Sequence, residues 1–309
     1  MSTMSGLLER TSRTFALSIP FLPAELQRSV TVAYLIFRIV DTIEDEFEGD
    51  VNVRAAALDA ISSQICHASE VLNDQVESLL SSMPAPRDDG YVELLRNAPA
   101  VLEQYQRLDG EVRMVIAGHL ARTARGMAQY LGRDLSGGQV SDLKAYCYIV
   151  AGIVGEMCSS LFVVYQPELG SIEKDLQDRS AAFGEGLQLV NIVRDAEEDL
   201  HAGRCYLPMC VGRDELLVLA REDLRMAHGY IQTLENASAH PGIVAFNTFN
   251  AALANLTLEA IERSGAGAKV TRAQVAELQK AIYSRMRSGL PIADLAAVEP
   301  SAAGARSWN

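Results

Sequence analysis

An acidic strip follows one face of a helix predicted over residues 24–47. Asp41 and Asp45 are one helical turn apart, and Glu44 lies beside them; residues at this spacing share a helix face. Carboxylate oxygens are ligands that Mg²⁺ prefers, and Mg²⁺ often completes its shell with substrate phosphate. Apolar residues flank the strip on both sides. We therefore expect the strip to line a walled cavity rather than an open, solvated surface.

A second predicted helix, over residues 180–200, repeats this arrangement. Asp195 and Asp199 are four residues apart, and Asn191 precedes them by one turn. This line of oxygen acceptors and one amide suits a hard cation. One helix supplies too few ligands for an octahedral shell. Two such helices facing each other could hold magnesium ions between their carboxylates and a diphosphate.

Arginine side chains near the two strips could bind phosphate oxygens. Arg38 and Arg194 lie within the helices, and Arg13 and Arg204 lie in turns; the forked guanidinium group suits phosphate recognition. Arg38 and Arg194 have an alternative role, because each can pair with a carboxylate one turn along its own helix. A cluster of metal, diphosphate and arginine would assist the ionisation of an allylic diphosphate by stabilising the leaving group.

The elements that position these side chains are predicted to be helices. Proline and glycine breaks separate long segments rich in good helix formers, and no segment alternates polar and apolar residues as a strand does. We expect an all-α protein with one domain over residues 1–290 and a polar, flexible tail over 291–309. The apolar segment 145–165 contains Glu156 and two glycines, which favours a buried helix over a membrane span.

The composition of the 309-residue chain limits its partners and location. Its 27 Lys and Arg against 40 Asp and Glu give a net charge of −13, which opposes binding to the phosphate backbone of nucleic acids. The five cysteines form no CxxC pair, and the N-terminus lacks the apolar run of a secretory signal. We expect a cytoplasmic protein without a transmembrane anchor, and contact with a membrane surface stays open.

The motifs together resemble those of the squalene/phytoene synthase family, and most closely its squalene synthase branch. The matching stretches occur in the family's order, at 12–15 (SRTF), 34–38 (YLIFR), 41–45 (DTIED), 146–152 (YCYIVAG), 187–195 (LQLVNIVRD) and 203–208 (GRCYLP). The resemblance implies an isoprenoid synthase fold, with one large helical bundle around a central cavity. It also implies a prenyltransferase that joins two farnesyl diphosphates head to head, through a cyclopropyl (presqualene) diphosphate, to squalene.

The resemblance further implies roles for individual side chains. Magnesium would be held by Asp41, Glu44, Asp45, Asn191, Asp195 and Asp199. The prenyl diphosphates would contact Ser12, Arg13, Phe15, Tyr34, Arg38, Val150, Gln188, Arg194 and Arg204. NADPH would deliver the final hydride, bound by Arg13, Arg38, Arg194, Lys269 and Arg272. Tyr146 would act catalytically near the cyclopropyl intermediate, together with the aspartates. The segment 269–272 carries threonine where squalene synthases have arginine.

The apolar helix 145–165 has a further expected role in this family. Gly152 and Gly155 would give room for it to line the tunnel for the prenyl tail. Plain helix packing would explain the same glycines and is compatible with that role.

Several alternative functions stay open. The product could be released without NADPH, as by a dehydrosqualene, phytoene or presqualene diphosphate synthase, or a class I terpene cyclase could act on one prenyl diphosphate. A helical binding protein could carry the acidic strips as solvent faces. A ferritin-like di-iron protein is considered because Glu198 and His201 form a Glu-x-x-His motif. That architecture needs a second such motif, which the sequence lacks, so this class is rejected.

Overall fold

The computed structural model describes residues 2–45, 50–67, 86, 88–201 and 203–298. Over these residues the regular secondary structure is helical, and the expectation of an all-α protein is confirmed. The α-helices are α1 Ser2–Thr11, α2 Phe15–Ser18, α3 Ala24–Asp45, α4 Val51–His67, α5 Asp89–Arg96, α6 Ala98–Gln106, α7 Gly110–Tyr130, α8 Val140–Cys147, α9 Ile153–Tyr165, α10 Glu173–His201, α11 Arg213–Asn236, α12 Pro241–Ser264 and α13 Arg272–Ser288. Short 3₁₀ turns lie at Ile19–Phe21, Pro167–Ile172 and Ala293–Ala296, and a π-helical turn lies at Tyr148–Gly152.

Helix α3, which carries the first acidic strip, is buried on most of its circumference. Leu35, Ile36 and Val40 are almost fully buried, and Phe37 is 8% exposed. The apolar side chains that flank the strip therefore face protein on both sides, as the sequence predicted. The helix ends at Asp45, and the last two positions of the predicted helix, 46 and 47, lie outside the described residues.

Helices α9 and α10 approach each other through glycines. A Cβ atom on Gly155 would lie 2.1 Å from the carbonyl oxygen of Ser180, and one on Gly184 would lie 2.0 Å from that of Ala151. A Cβ on Gly152 would lie 2.8 Å from the Tyr148 ring. The space left by these glycines is thus filled by the protein itself, and the expectation that they make room for a prenyl tail is wrong in this detail. Their effect is to bring the two helices into backbone contact.

The segment Val140–Tyr165, which contains α8, the π turn and α9, is the most apolar part of the bundle. By length and composition this segment could cross a membrane, because its most apolar stretch of 18 residues has a mean hydropathy of 1.9. Of that stretch, 39% is buried inside the protein. Core helices of globular proteins meet the same criterion. Here the segment packs against α7 and α10, and the preference for a buried helix over a membrane span stays a prediction.

Two apolar clusters make up the core. The larger draws on α1, α3 to α7 and α9 to α13, and the smaller lies among α8, α10, α11 and α12. Val150 and Leu187 pack against both clusters. The π turn and the middle of α10, which carry family motifs, therefore lie at the junction of the two clusters.

The segment after α13 folds back onto the bundle. Ile292, Ala293 and Ala296 are buried, and the Glu235 carboxylate accepts hydrogen bonds from the backbone N–H groups of Ile292 and Ala293. The expectation of a flexible polar tail from residue 291 is therefore wrong for 291–298, because its apolar side chains enter the core beside α11 and α12. The rest of that expected tail, 299–309, lies outside the described residues.

Candidate active site

Three carboxyl groups at the end of α3 form one compact cluster. Asp41, Glu44 and Asp45, hereafter the first wall, place oxygen atoms within 4.8 Å of one another. Burial raises the pKa of Glu44, and the charges of Asp45 and Asp41 raise it further. Burial and Asp41 also raise the pKa of Asp45 to about 7, although Arg204 opposes this. The first wall is therefore a buried site with an excess of negative charge.

The donor set of the first wall fits a magnesium ion. All its ligand atoms are carboxylate oxygens, which Mg²⁺ prefers, and Glu44 Oε2 is buried without a hydrogen-bond partner among the described residues. A buried polar atom without a partner is costly, and a cation would relieve both this cost and the mutual repulsion of the carboxylates.

Arg38 lies beside the first wall, where aromatic rings hold it. Its guanidinium forms an ion pair with Asp41, and its Nε donates to the Tyr34 hydroxyl at 3.2 Å. It also lies 5.6 Å from the ring centroid of Tyr34 and 5.8 Å from that of Tyr91. Burial acts to lower the pKa of Arg38, but Asp41 and the two tyrosines outweigh it, so the pKa is raised. Arg38 is thus a fixed positive charge.

The second acidic strip lies on α10 and is more open. Asn191, Asp195 and Asp199, hereafter the second wall, share one face of this helix. The Asp195 side chain is 34% exposed, and both its oxygens accept hydrogen bonds from Arg194, at 2.7 and 2.5 Å. Burial raises the pKa of Asp199, and the hydrogen bond from Arg204, at 3.0 Å, opposes this rise. Each aspartate of the second wall thus has its own arginine.

A short segment after α10, residues 203–208 and hereafter the strap, connects the two walls. Arg204 donates to Asp199 in the second wall, and its charge also lowers the pKa of Asp45 in the first. The Tyr206 hydroxyl donates to Asp45 Oδ1 at 3.0 Å. The two walls therefore border one site.

Tyr146 lies in this site, between two other tyrosines. Its ring stacks on that of Tyr206, with centroids 5.0 Å apart and planes at 17°, and Tyr130 lies 5.4 Å away on a tilted ring. The side chain is 4% exposed. Burial raises the pKa of the Tyr146 phenol, and the nearby charge of Glu44 raises it further. Tyr146 therefore keeps its proton beside the first wall.

The remaining expected substrate contacts come from the N-terminal helices and the core junction. The Phe15 ring lies 5.2 Å from that of Tyr34, and the Ser12 hydroxyl accepts a hydrogen bond from the Phe15 N–H at 2.9 Å, just before α2. Arg13 is exposed, and Gln188 is half-buried on α10. Phe15 reaches the first wall through Tyr34 and Arg38, whereas Ser12 already has a structural role.

The segment 269–272, which was expected to bind NADPH, directly follows a contact with α10. The Gly267 N–H donates to the carbonyl oxygen of Arg194 at 2.7 Å, and Lys269 and Arg272 are exposed just beyond it. Thr271 is the N-cap of α13 and forms a capping box with Gln274. Threonine at this position therefore has a local structural reason.

Two tyrosines of the site were missed in the sequence reasoning. Tyr206 lies within a matched stretch, but in a loop. Because a loop has no helical spacing, the sequence does not predict which side chains Tyr206 contacts. Tyr91 is on α5, far from α3 in the chain, and only the fold brings its ring to Arg38. His201, in contrast, lies exposed at the end of α10.

The family profile of squalene/phytoene synthases matches residues 8–213 of this chain. The chain belongs to the squalene/phytoene synthase family. A squalene synthase of Botryococcus braunii is 30% identical over 206 residues, which are 66% of this chain and 41% of that protein. The squalene synthase of Saccharomyces cerevisiae is 33% identical over 206 residues, which are 65% of this chain and 44% of that protein. The matches thus span less than half the length of these relatives.

The fold was compared with solved structures. A structure of TcSQS in complex with the ligand E5700 is similar to this chain with a TM-score of 0.77 and 22% identity, over 96% of both chains. This likeness shows that the chain has the isoprenoid synthase fold, as the motifs implied. At this identity the likeness concerns the fold alone.

Proposed function

We propose that the protein joins two farnesyl diphosphates head to head, through presqualene diphosphate, to squalene. The observation that supports this most is the meeting of two carboxylate walls at one site, with an arginine at each aspartate pair and a buried tyrosine between them. A solvent-facing acidic surface would not bury Glu44 or pair Asp45 with Tyr206. The arrangement suits two diphosphates whose charge must be held while their carbon chains react.

The charged side chains would bind and orient the diphosphate groups. Arg38, Arg194 and Arg204 are charged donors at the rim of the walls, and each now pairs with an aspartate. On substrate binding these guanidinium groups would turn towards phosphate oxygens, which they match in geometry. Mg²⁺, when bound to the carboxylates, supplies stabilisation of the charge that develops on the leaving diphosphate.

Tyr146 and the apolar junction would act on the carbon skeleton. Because burial and Glu44 raise its pKa, Tyr146 stays protonated and donates a hydrogen bond in the site. Val150 and Leu187 pack against both apolar clusters, and in this proposal the carbon chains of the substrates would lie along them. Exclusion of water protects a carbocation from premature quenching.

The last step in this proposal is reduction by NADPH. Lys269 and Arg272 are exposed cations that follow Gly267, whose N–H donates to the Arg194 carbonyl oxygen, and they could bind the phosphate groups of this cofactor. Without NADPH the same site would release a dehydrosqualene or phytoene type product, or presqualene diphosphate. We assign the protein to the cytoplasm, with the membrane surface as the place to which a hydrocarbon product would move.

The test is to incubate the purified protein with farnesyl or geranylgeranyl diphosphate and determine the mass of the product. Squalene that forms only with Mg²⁺ and NADPH is the expected result. A C30 product without NADPH would favour the dehydrosqualene type, a C40 product the phytoene type, and a C15 hydrocarbon a terpene cyclase. A protein that makes no product, and that Mg²⁺ with pyrophosphate does not protect against heat, would contradict the proposal.

A further inference from the structure

The strap is a fixed part of the structure. Its backbone is bonded to the end of α10 by the Arg204 N–H and the Asp199 carbonyl oxygen at 2.8 Å. The loop after α7 holds it on the other side: the Leu135 N–H donates to the Cys205 carbonyl at 3.0 Å, and the Met209 N–H donates to the Ser136 carbonyl at 2.8 Å. Tyr206 therefore projects from a backbone that is anchored on both sides.

Tyr206 contacts one oxygen of a first-wall carboxylate. Its hydroxyl donates to Asp45 Oδ1 at 3.0 Å, and within the described part of the chain this hydroxyl makes no hydrogen bond to Oδ2. The ring is held by its stack on Tyr146 and by packing against the smaller apolar cluster. The position of the hydroxyl is thus set by packing rather than by Asp45 itself.

Asp45 needs such a partner because its neighbours repel it. Asp41 and Glu44 lie within 4.8 Å, and like charges at this distance favour a rotation that separates them. A hydrogen bond from a fixed donor opposes this rotation. Donors that hold ligand carboxylates in orientation are common around metal sites, and their loss typically lowers metal affinity by about 10–100-fold.

We propose that Tyr206 is a positioning residue that holds Asp45 in the orientation that binds metal, and so sets the geometry between the two walls. This inference rests on the proposed function, since it takes the first wall to be a magnesium site. The hydroxyl acts through Asp45 and not on the substrate. Tyr206 thereby links the strap, which Arg204 ties to the second wall, with the ligands of the first.

The test uses Tyr206→Phe, which removes the hydroxyl and keeps the ring on Tyr146. Mn²⁺ serves as the metal probe in the absence of substrate, and its binding is measured by electron paramagnetic resonance. We expect the affinity of the site to fall about tenfold. In turnover assays the Mg²⁺ concentration at half-maximal rate should rise by about the same factor.

Two further variants separate the possible outcomes. Tyr230→Phe removes another buried hydroxyl, which bonds to Ser159 at 2.7 Å away from the walls; its urea midpoint should fall about as much as that of Tyr206→Phe, with unchanged Mn²⁺ affinity. Asp45→Asn removes a proposed ligand of the first wall, so the part of the Mn²⁺ binding that this variant loses is the part that occurs at the first wall. Loss of Mn²⁺ in Asp45→Asn but not in Tyr206→Phe would overturn the inference alone. Unchanged binding in both would overturn the metal site and with it the proposed function.

Discussion

The two walls of the site differ in how the protein prepares them. The first wall is half-buried to buried at the end of α3, and its three carboxyl groups crowd within 4.8 Å. The second wall is spread along α10, with Asn191 exposed and Asp195 34% exposed. Only in the second wall do arginines pair with both aspartates, Arg194 with Asp195 and Arg204 with Asp199.

This difference indicates two ways of preparing carboxylates for a cation. In the first wall, burial and repulsion make the metal-free state costly, so that a cation brings a large gain. In the second wall the arginines already neutralise the aspartates, so a metal must displace them and the displaced guanidinium groups become available to phosphate. The first wall should therefore bind metal on its own, and the second should do so together with a diphosphate.

The largest expected effect comes from removing one ligand of either wall. Asp41→Asn and Asp195→Asn should each lower turnover by more than about 100-fold, because loss of a direct ligand should exceed the 10–100-fold typical of its supporting partners. The helical circular dichroism should persist, since neither side chain is in the core. Asp175→Asn, an exposed position on α10, is the matched control and should keep normal turnover.

The two variants should also differ from each other in metal binding without substrate. Asp41→Asn should lose Mn²⁺ affinity in the absence of pyrophosphate. Asp195→Asn should keep most of that affinity, but pyrophosphate should no longer increase it. Equal losses in both variants would break the comparison between the walls. Near-normal turnover of either variant at limiting Mg²⁺ would remove that residue from the site.

A smaller effect, on the product rather than the rate alone, is expected for Tyr146→Phe. Removing the hydroxyl takes away the hydrogen-bond donor beside Glu44, while the ring keeps its stack on Tyr206. The cyclopropyl diphosphate should then accumulate relative to the final hydrocarbon, by about tenfold if one donor is lost at the second ionisation. Extraction of both products and mass spectrometry measure the ratio, and an unchanged ratio would exclude this role.

The position of α10, which carries the second wall, can be altered where it crosses the π turn and α9. Gly184→Ala would place a Cβ 2.0 Å from the Ala151 carbonyl oxygen, so the helices must separate at a cost of about 1–3 kcal/mol. Both the thermal midpoint and turnover should fall. Gly118→Ala on α7 meets nothing within 4 Å and should be stabilising by about 0.5–1 kcal/mol; stabilisation by both substitutions would contradict the close crossing.

The smallest expected effect is a pH dependence that comes from the first wall. In the folded protein the pKa of Asp45 is about 7, above its ordinary value. At a pH between the ordinary and the raised pKa, Asp45 is therefore protonated more in the folded protein than in the unfolded chain. The contribution of Asp45 to stability is therefore present at low pH and lost as pH rises through about 7. Without metal, Asp45→Asn should gain stability relative to the unchanged protein as pH rises from about 5 to about 8.

Thermal unfolding in EDTA measures this difference across the pH range, and Mg²⁺ should stabilise the unchanged protein more than the variant at the upper end. A difference that stays constant with pH would show that Asp45 is not held in a repulsive, buried cluster. The first wall would then resemble the second, and the contrast between them would disappear.

The helical class and the acidic strips could be read from the sequence because both depend on local spacing. Asp41 with Asp45, and Asp195 with Asp199, must share a face wherever the chain is helical. The partners could not be read in this way. Tyr206 and Tyr91 reach Asp45 and Arg38 through the packing of distant segments, and the docking of Ile292 depends on a gap between α11 and α12 that leaves no periodic signal.

The most direct measurement of the central claim is a crystal structure with Mn²⁺ and an unreactive thiodiphosphate analogue of farnesyl diphosphate. Anomalous scattering would locate the metal ions. The account predicts ions between the first and second walls, about 2.1 Å from carboxylate oxygens of Asp41 and Asp195 and in contact with the diphosphate. Metal ions at one wall only, or a diphosphate that contacts neither, would contradict it.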